Sequence, residues 1–220
     1  MARDFEKQAT TVSDDDIHAR SLMMLGSVLI KIGNRQEALR HLERAKLMGI
    51  ANGNLNHDVY HLIAIVHYHE KRFPEALDAA EEAWKISEHN SLVNQAQISF
   101  LLCAILFSAN IDTEAWKYME ISLTKNLELG NRCDSVRMLE YMGYGYLRRG
   151  DYLNAYGAYE AVAQSYLGTI DEEPDGTMCK DNMAKIMDMQ KNPGLNIGFT
   201  RPRTDINSRS LFYPSAAASV

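Results

Sequence analysis

The stretch LGSVLIKIGNRQEALRHLERA, from Leu25 to Ala45, has a counterpart in MGYGYLRRGDYLNAYGAYEAV, from Met142 to Val162. Both open on a large apolar residue followed by glycine (Leu25-Gly26, Met142-Gly143). Both then reach a second glycine (Gly33, Gly150), an alanine five residues later (Ala38, Ala155) and a large residue four further on (Leu42, Tyr159). Two weaker copies lie between them. IAIVHYHEKRFPEALDAAEEA carries Ala64, Ala76, Ala80 and Ala83, and LCAILFSANIDTEAWKYMEIS carries Cys103, Ala115, Met119 and Ser122. The anchoring alanines Ala38, Ala76, Ala115 and Ala155 are spaced 38, 39 and 40 residues apart. A small residue at one slot lets the two helices of a hairpin approach closely, and a large one beyond it fills the space to the next hairpin. A single hairpin cannot bury its apolar face alone, so such units stack.

The pattern of Leu22, Leu25, Gly26, Leu29, Ala38, Leu42 and Ala45 in the first copy resembles the tetratricopeptide repeat, as does that of Leu139, Met142, Gly143, Tyr146, Ala155 and Tyr159 in the fourth. Val162 departs from the small residue expected at its place, and Ala64 and Cys103 fill the small slot of the middle copies. The resemblance covers roughly residues 19–169. The period exceeds the usual ~34 residues, as in the longer repeats of signalling ATPases and kinesin light chains. It implies an all-α, right-handed solenoid of about four hairpins. The stretch EAWKYMEISL, with EYMGYGYLRRGDYLNAYGAYEAV after it, is also similar to the C-terminal arrays of fungal signal-transducing ATPases of the NLR-like (STAND) kind. In those proteins a nucleotide-binding module precedes a repeat sensor, and this chain shows no such module.

Composition agrees with an all-α reading. Only 5 of 220 residues are proline, and four of these lie at or beyond Pro174. A sandwich or barrel needs many Gly/Pro-rich turns. Apolar periodicity and capping residues place helices at about 14–32, 35–49, 56–70, 74–89, 91–109, 112–129, 132–149 and 151–168. Ser13 to Asp16 supplies an N-cap and an acidic first turn. Pro74 falls in a first helical turn, where proline is tolerated. Gly33, Gly53, Gly130 and Gly150 sit at helix ends. Residues 1–13 read as disordered, 14–170 as the repeat array, 174–191 as a capping helix and 192–220 as an extended tail. Phe199, Leu211, Phe212 and Tyr213 are available to pin that tail to the body.

Formal net charge is −6, and the acidic excess is concentrated: residues 51–100 carry 3 Lys/Arg against 7 Asp/Glu, and residues 151–200 carry 3 against 8. A mildly acidic body does not suit a phosphate-backbone binder, so no nucleic-acid partner is expected. No apolar stretch approaches the ~20 residues that span a bilayer, and no signal peptide or lipidation motif is evident. Three cysteines (Cys103, Cys133, Cys179) form an odd, sparse set, which suits reduced thiols in the cytoplasm.

The pair His57 and His61, with Asp58 between, has the i, i+4 spacing of helical zinc ligands. Asp is a methylene shorter than the usual Glu base, His69 lies roughly 12 Å further along the helix, and His67 faces elsewhere. A zinc hydrolase is the remote alternative, and a polar helix face the simpler reading. Cys133 at a helix start is a turn cysteine, and Cys103 is inert core. The GYGYLRRGD segment follows no strand; Gly143 and Gly150 already serve the repeat, so it is no phosphate cradle. Neither a catalytic residue nor a cofactor or metal is expected.

The resemblance places the first helix of each pair on a concave groove that takes peptides or helices. Carried over by register, that face holds Arg20, Met23, Ile30 and Lys31, then His61, Ile65 and Tyr68, then Phe100 and Phe107, then Arg137, Tyr144 and Arg148. The middle is apolar and aromatic, and the ends are basic. Met23 and Ser27 replace the Lys and Asn of chaperone-tail binders, so those tails are disfavoured. The expected function is non-enzymatic binding of a protein or peptide partner. The alternative is a regulatory sensor of a signal-transducing NTPase system, with Thr200–Pro214 lying in the groove until a ligand displaces it.

Overall fold

The computed structural model describes residues 14–48, 53–87, 91–166, 175–192 and 198–200. The readings made for residues 1–13, for the turn after residue 170 and for most of the tail lie outside them. All the described regular structure is helical: α1 (Asp14–Ile32), α2 (Arg35–Leu47), α3 (Gly53–His69), α4 (Phe73–Ser87), α5 (Leu92–Ser108), α6 (Asp112–Glu128), α7 (Arg132–Arg148), α8 (Tyr152–Tyr166) and α9 (Asp175–Lys191). The helices form two compact units, the first holding α1 to α4 and the second α5 to α9. In each unit consecutive helices pair as hairpins, α1 with α2 and α3 with α4 in the first, α5 with α6 and α7 with α8 in the second. Neighbouring hairpins then stack through α2 on α3 and α6 on α7, and α9 lies against α8.

The anchoring alanines do what their periodicity implies. Ala38, Ala76, Ala115 and Ala155 are all fully buried, and in the first and fourth copies the small slot of the first helix faces the large residue four positions beyond the alanine. A β-carbon on Gly26 would stand 2.8 Å from Leu42 Cδ2 and Cγ, and one on Gly143 would stand 2.7 Å from Tyr159 Cε1. Ala64 and Cys103 occupy the same slot in the middle copies and are equally buried. Glycine also serves α6 against α7 at a position that the repeat pattern does not mark. A β-carbon on Gly145 would meet Trp116 Cζ3 at 2.9 Å. The Trp116 ring instead lies edge-on to Tyr146, at 4.7 Å between centroids, with the Arg149 guanidinium 4.2 Å from its centre.

Each hairpin turns through one residue with positive φ, five positions before its alanine. In the first and fourth this is glycine, Gly33 (φ 89°) and Gly150 (φ 74°). In the second and third it is Lys71 (φ 60°) and Asn110 (φ 63°). The left-handed conformation costs an ordinary residue energy that glycine does not pay, and Asn tolerates it better than Lys. The turns close by the same backbone bonds in all four: Asn34 N–H to Leu29 O (2.9 Å), Arg72 N–H to His67 O (2.9 Å), Ile111 N–H to Leu106 O (2.9 Å) and Asp151 N–H to Tyr146 O (3.0 Å).

Helix starts are capped unevenly. Ser91 accepts from Asn94 N–H at 3.2 Å and Asn131 from Asp134 N–H at 3.4 Å. Gly53 begins α3. The helix α5 is apolar all round, and its run from Ile98 to Phe107 is entirely buried, as expected of a helix packed on several sides.

Candidate functional site

The residues assigned by register to a groove fall into distinct environments. In the first unit Arg20 and Lys31 are exposed on α1, while Met23 and Ile30 are buried. On α3, His61, Ile65 and Tyr68 are all buried. Tyr68 lies 6.1 Å from Phe73 and edge-on to His69 at 5.8 Å.

In the second unit the aromatic residues of α5 converge on a ring that register did not single out. Tyr141 of α7 stands edge-on to Phe100 at 5.7 Å and tilted against Phe107 at 6.3 Å. All three rings are buried. Arg137, half-buried one turn earlier on α7, holds its guanidinium 5.9 Å above Phe100 and lies 3.7 Å from Asp134. Tyr144, one turn later, is half-buried. Arg148 is tied to the turn of the preceding hairpin, donating to Asn110 Oδ1 at 3.2 Å and pairing with Asp112 Oδ1 at 3.1 Å. The structure therefore brings Phe100, Phe107 and Arg137 together around Tyr141. Their rings are committed to packing more deeply than register alone indicates, because α5 has apolar neighbours on most of its surface.

His57 and His61 are buried side by side, with ring centroids 5.7 Å apart. His57 Nδ1 lies 3.0 Å from Ala83 O on α4. A carbonyl only accepts, so Nδ1 carries the proton. Nε2 of His57 and Nε2 of His61 have no hydrogen-bond partner among the described residues. Burial pushes both histidines down, His61 to about 3 with His57 adding to the effect. Burial pushes Asp58 up to about 7, opposed in part by Arg20. Among the described residues no three His, Cys, Asp or Glu side chains group as metal ligands. Burial also raises the Cys103 thiol, which disfavours its thiolate.

The sequence reading missed two features. On α1, Ile17, Met24, Leu25, Val28 and Ile32 form an exposed apolar stripe opposite the buried Ala19, Leu22, Met23, Gly26 and Ile30. Apolar residues on both sides of one helix were the available signal. The other is the attachment of the chain after α9. Thr200 N–H donates to Asn182 Oδ1 at 2.8 Å, and Asn182 Nδ2 donates to Thr200 O at 2.8 Å. Thr200 Oγ1 donates to Asp181 Oδ2 at 2.8 Å, and Lys185 Nζ lies 2.6 Å from that carboxylate and 3.2 Å from Thr200 Oγ1. Phe199 packs against Tyr152, 6.3 Å between rings, on the cluster formed by α7, α8 and α9. The expectation that Phe199 pins the chain corresponds to this contact. The amide that grips its neighbour carries no periodic signal.

Comparison with known proteins follows the same lines. The tetratricopeptide repeat family matches residues 18–48. No curated protein sequence matches the chain. Among solved structures, the apo form of RapI is similar with a TM-score of 0.72 and 15% identity over 79% of this chain. This chain spans 64% of RapI, just under two thirds of its length. BtubC from P. vanneervenii has a TM-score of 0.71 and 17% identity, covering 92% of this chain and 93% of its own. MamA from residue 41 to its end, from Desulfovibrio magneticus RS-1, has a TM-score of 0.54 and 12% identity, covering 84% of this chain and 100% of that one. At these identities the likeness is one of fold: an all-α, tetratricopeptide-like repeat protein. Among the described residues no helix is long and apolar enough to cross a membrane.

Proposed function

We propose that this chain is a non-enzymatic protein–protein interaction scaffold that docks a partner peptide or helix on the first helices of its hairpins. The fold supports the general class, since repeats of this kind typically bind proteins. The observation that carries the finer reading is the ring cluster on α5 and α7. Phe100, Phe107 and Tyr141 form an aromatic floor, with the Arg137 guanidinium over Phe100 and Tyr144 half-buried one turn beyond Tyr141 on α7. Aromatic and Arg side chains held rigidly at a partly exposed site are the usual carriers of binding energy. Tyr144 and Arg137 touch the partner in this reading, and Phe100 and Phe107 hold them in position. Arg137 and Arg148 favour acidic residues flanking the bound segment. In the first unit Arg20 and Lys31 do the same beside Met23, Ile30, His61, Ile65 and Tyr68.

Site-specific photocrosslinking tests this. A benzophenone amino acid at Tyr144 should capture the partner, and the same group at Lys117, exposed on the second helix of its hairpin, should not. Equal capture from both positions sinks the reading. A second reading, the regulatory sensor silenced by its own tail, has one observation in its favour: Gly198–Thr200 already lies clipped to the second unit through Asn182. Removing residues 193–220 should then raise partner capture at Tyr144, and unchanged capture speaks against it.

A further inference from the structure

Asn182 is fully buried on α9, yet its side chain is spent on a backbone outside any helix. The amide gives and receives one bond with Thr200, the two-bond exchange that a neighbouring strand makes. Nδ2 also lies 3.2 Å from Tyr159 Oη and 3.2 Å from Met178 Sδ, both of which accept from it. Tyr159 is buried and fixed against Gly143, so the amide is oriented by the repeat core itself. The two exchanged bonds ignore side-chain identity and select only an extended backbone.

Side-chain selection comes from the flanks. Before the gripped residue, the Phe199 ring packs on Tyr152, and both lie against the buried cluster of α7, α8 and α9. At the gripped residue, the Asp181 carboxylate accepts from the Thr200 hydroxyl, and Lys185 holds that carboxylate in place. An apolar residue there leaves Asp181 without this donor, and an acidic one meets its charge. The notch thus has a backbone reader, an aromatic seat and a hydroxyl reader in sequence.

We propose that the notch around Asn182, between α8 and α9, is a recognition site for extended peptides carrying an aromatic residue followed by Thr or Ser, filled in cis by Phe199 and Thr200. It stands apart from the reading of the first-helix face, and neither depends on the other. Only residues 193–197 separate α9 and its last turn from the clipped segment. So short a tether gives an effective concentration in the millimolar range, which keeps a weaker peptide out of the unaltered chain. A partner segment enters when the clip is opened or when its own affinity exceeds that of the tethered one.

The test opens the clip in the full chain with Phe199→Ala and Thr200→Pro, since proline has no N–H to give Asn182. The probe is a fluorescein-labelled peptide of residues 195–203, followed by anisotropy. It should bind the opened chain at least tenfold more tightly than the unaltered one. Replacing Thr by Val or Phe by Ala in the peptide should each cost about tenfold, and Asn182→Ala in the opened chain should remove binding. Asp181→Ala, an exposed change, should abolish the preference for Thr over Val. Thr200→Val alone is the milder opening and should gain at least threefold, which keeps the question answerable if the double variant fails to fold. No binding to either opened chain at 1 mM peptide, or binding indifferent to Asn182→Ala and Asp181→Ala, overturns the proposal.

Discussion

The ring of Tyr159 occupies the place that a side chain on Gly143 would need, with Cε1 2.7 Å and Cζ 2.8 Å from an ideal β-carbon there. Tyr159 is fully buried, and its hydroxyl accepts from Asn182, so the ring has nowhere to retreat. Overpacking of this kind costs about 1–3 kcal/mol, while alanine in a helix interior regains about 1 kcal/mol over glycine. Gly143→Ala should therefore destabilise by ~1 kcal/mol or more. Gly157 on α8 is the control, because nothing lies within 4 Å of its β-position. Gly157→Ala should stabilise by about 0.5–1 kcal/mol. Urea midpoints of the two variants should move in opposite directions from the parent.

The turn residues Gly33, Lys71, Asn110 and Gly150 repeat at the same intervals as the alanines, yet only two are glycine. Lys71 is exposed with φ 60°. Lys71→Gly should stabilise by roughly 1 kcal/mol through relief of the left-handed conformation. Asn110→Gly should gain less, since Asn tolerates that conformation and its Oδ1 accepts from Arg148. Thermal unfolding of both variants checks the order.

These turns mark where the sequence is legible and where it is not. The repeat was readable because its small slots face its large residues at fixed spacing, and Gly26 with Leu42 and Gly143 with Tyr159 meet as that spacing implies. The helix limits followed from the same periodicity, within a few residues. Lys71 gave no turn signal of its own and Asn110 only the weak one of a lone Asn, so the register of the flanking copies locates them. Register also assigned Phe100 and Phe107 to a face without saying what covers it. Tyr141, which does, lies on a different helix 41 residues from Phe100. The Asn182 clip joins residues of a helix and an extended segment, so no period connects them.

Cys103 and Cys179 are free thiols, both fully buried, and the thiol of Cys103 is pushed up by burial. Thiolates are the reactive form, so maleimide applied to the folded chain at pH 7 should leave both peptides unlabelled in a mass-spectrometric map. Labelling should appear in urea. Rapid labelling of Cys103 under native conditions would contradict its place in the small slot of the third repeat.

The first unit carries titrating groups of opposite sign, and each can be read separately. His57 and His61 are held neutral by burial, with His61 lowered from 6.5 to about 3. The unfolded chain therefore binds these protons first as pH falls, and their contribution to stability is present above about 6.5 and lost below it. For His61 the loss between pH 7 and pH 5 is about 2 kcal/mol. Asp58 has the reverse sign, because burial raises it from 3.8 to about 7 against the opposing charge of Arg20. The folded state binds that proton first, so the contribution of Asp58 is complete below the unfolded value and lost as pH rises through about 7. The two effects offset in the parent between pH 5 and 7. Asp58→Asn removes the offset, and acidification should then destabilise more steeply than in the parent. His61→Leu removes the opposing part, and acidification should then destabilise less. The measurement is urea unfolding at pH 7 and pH 5 in a Trp116→Phe background, where Trp84 on α4 is the sole tryptophan and reports the first unit. Parallel pH dependence in all three chains would show that neither His61 nor Asp58 is held as its burial implies.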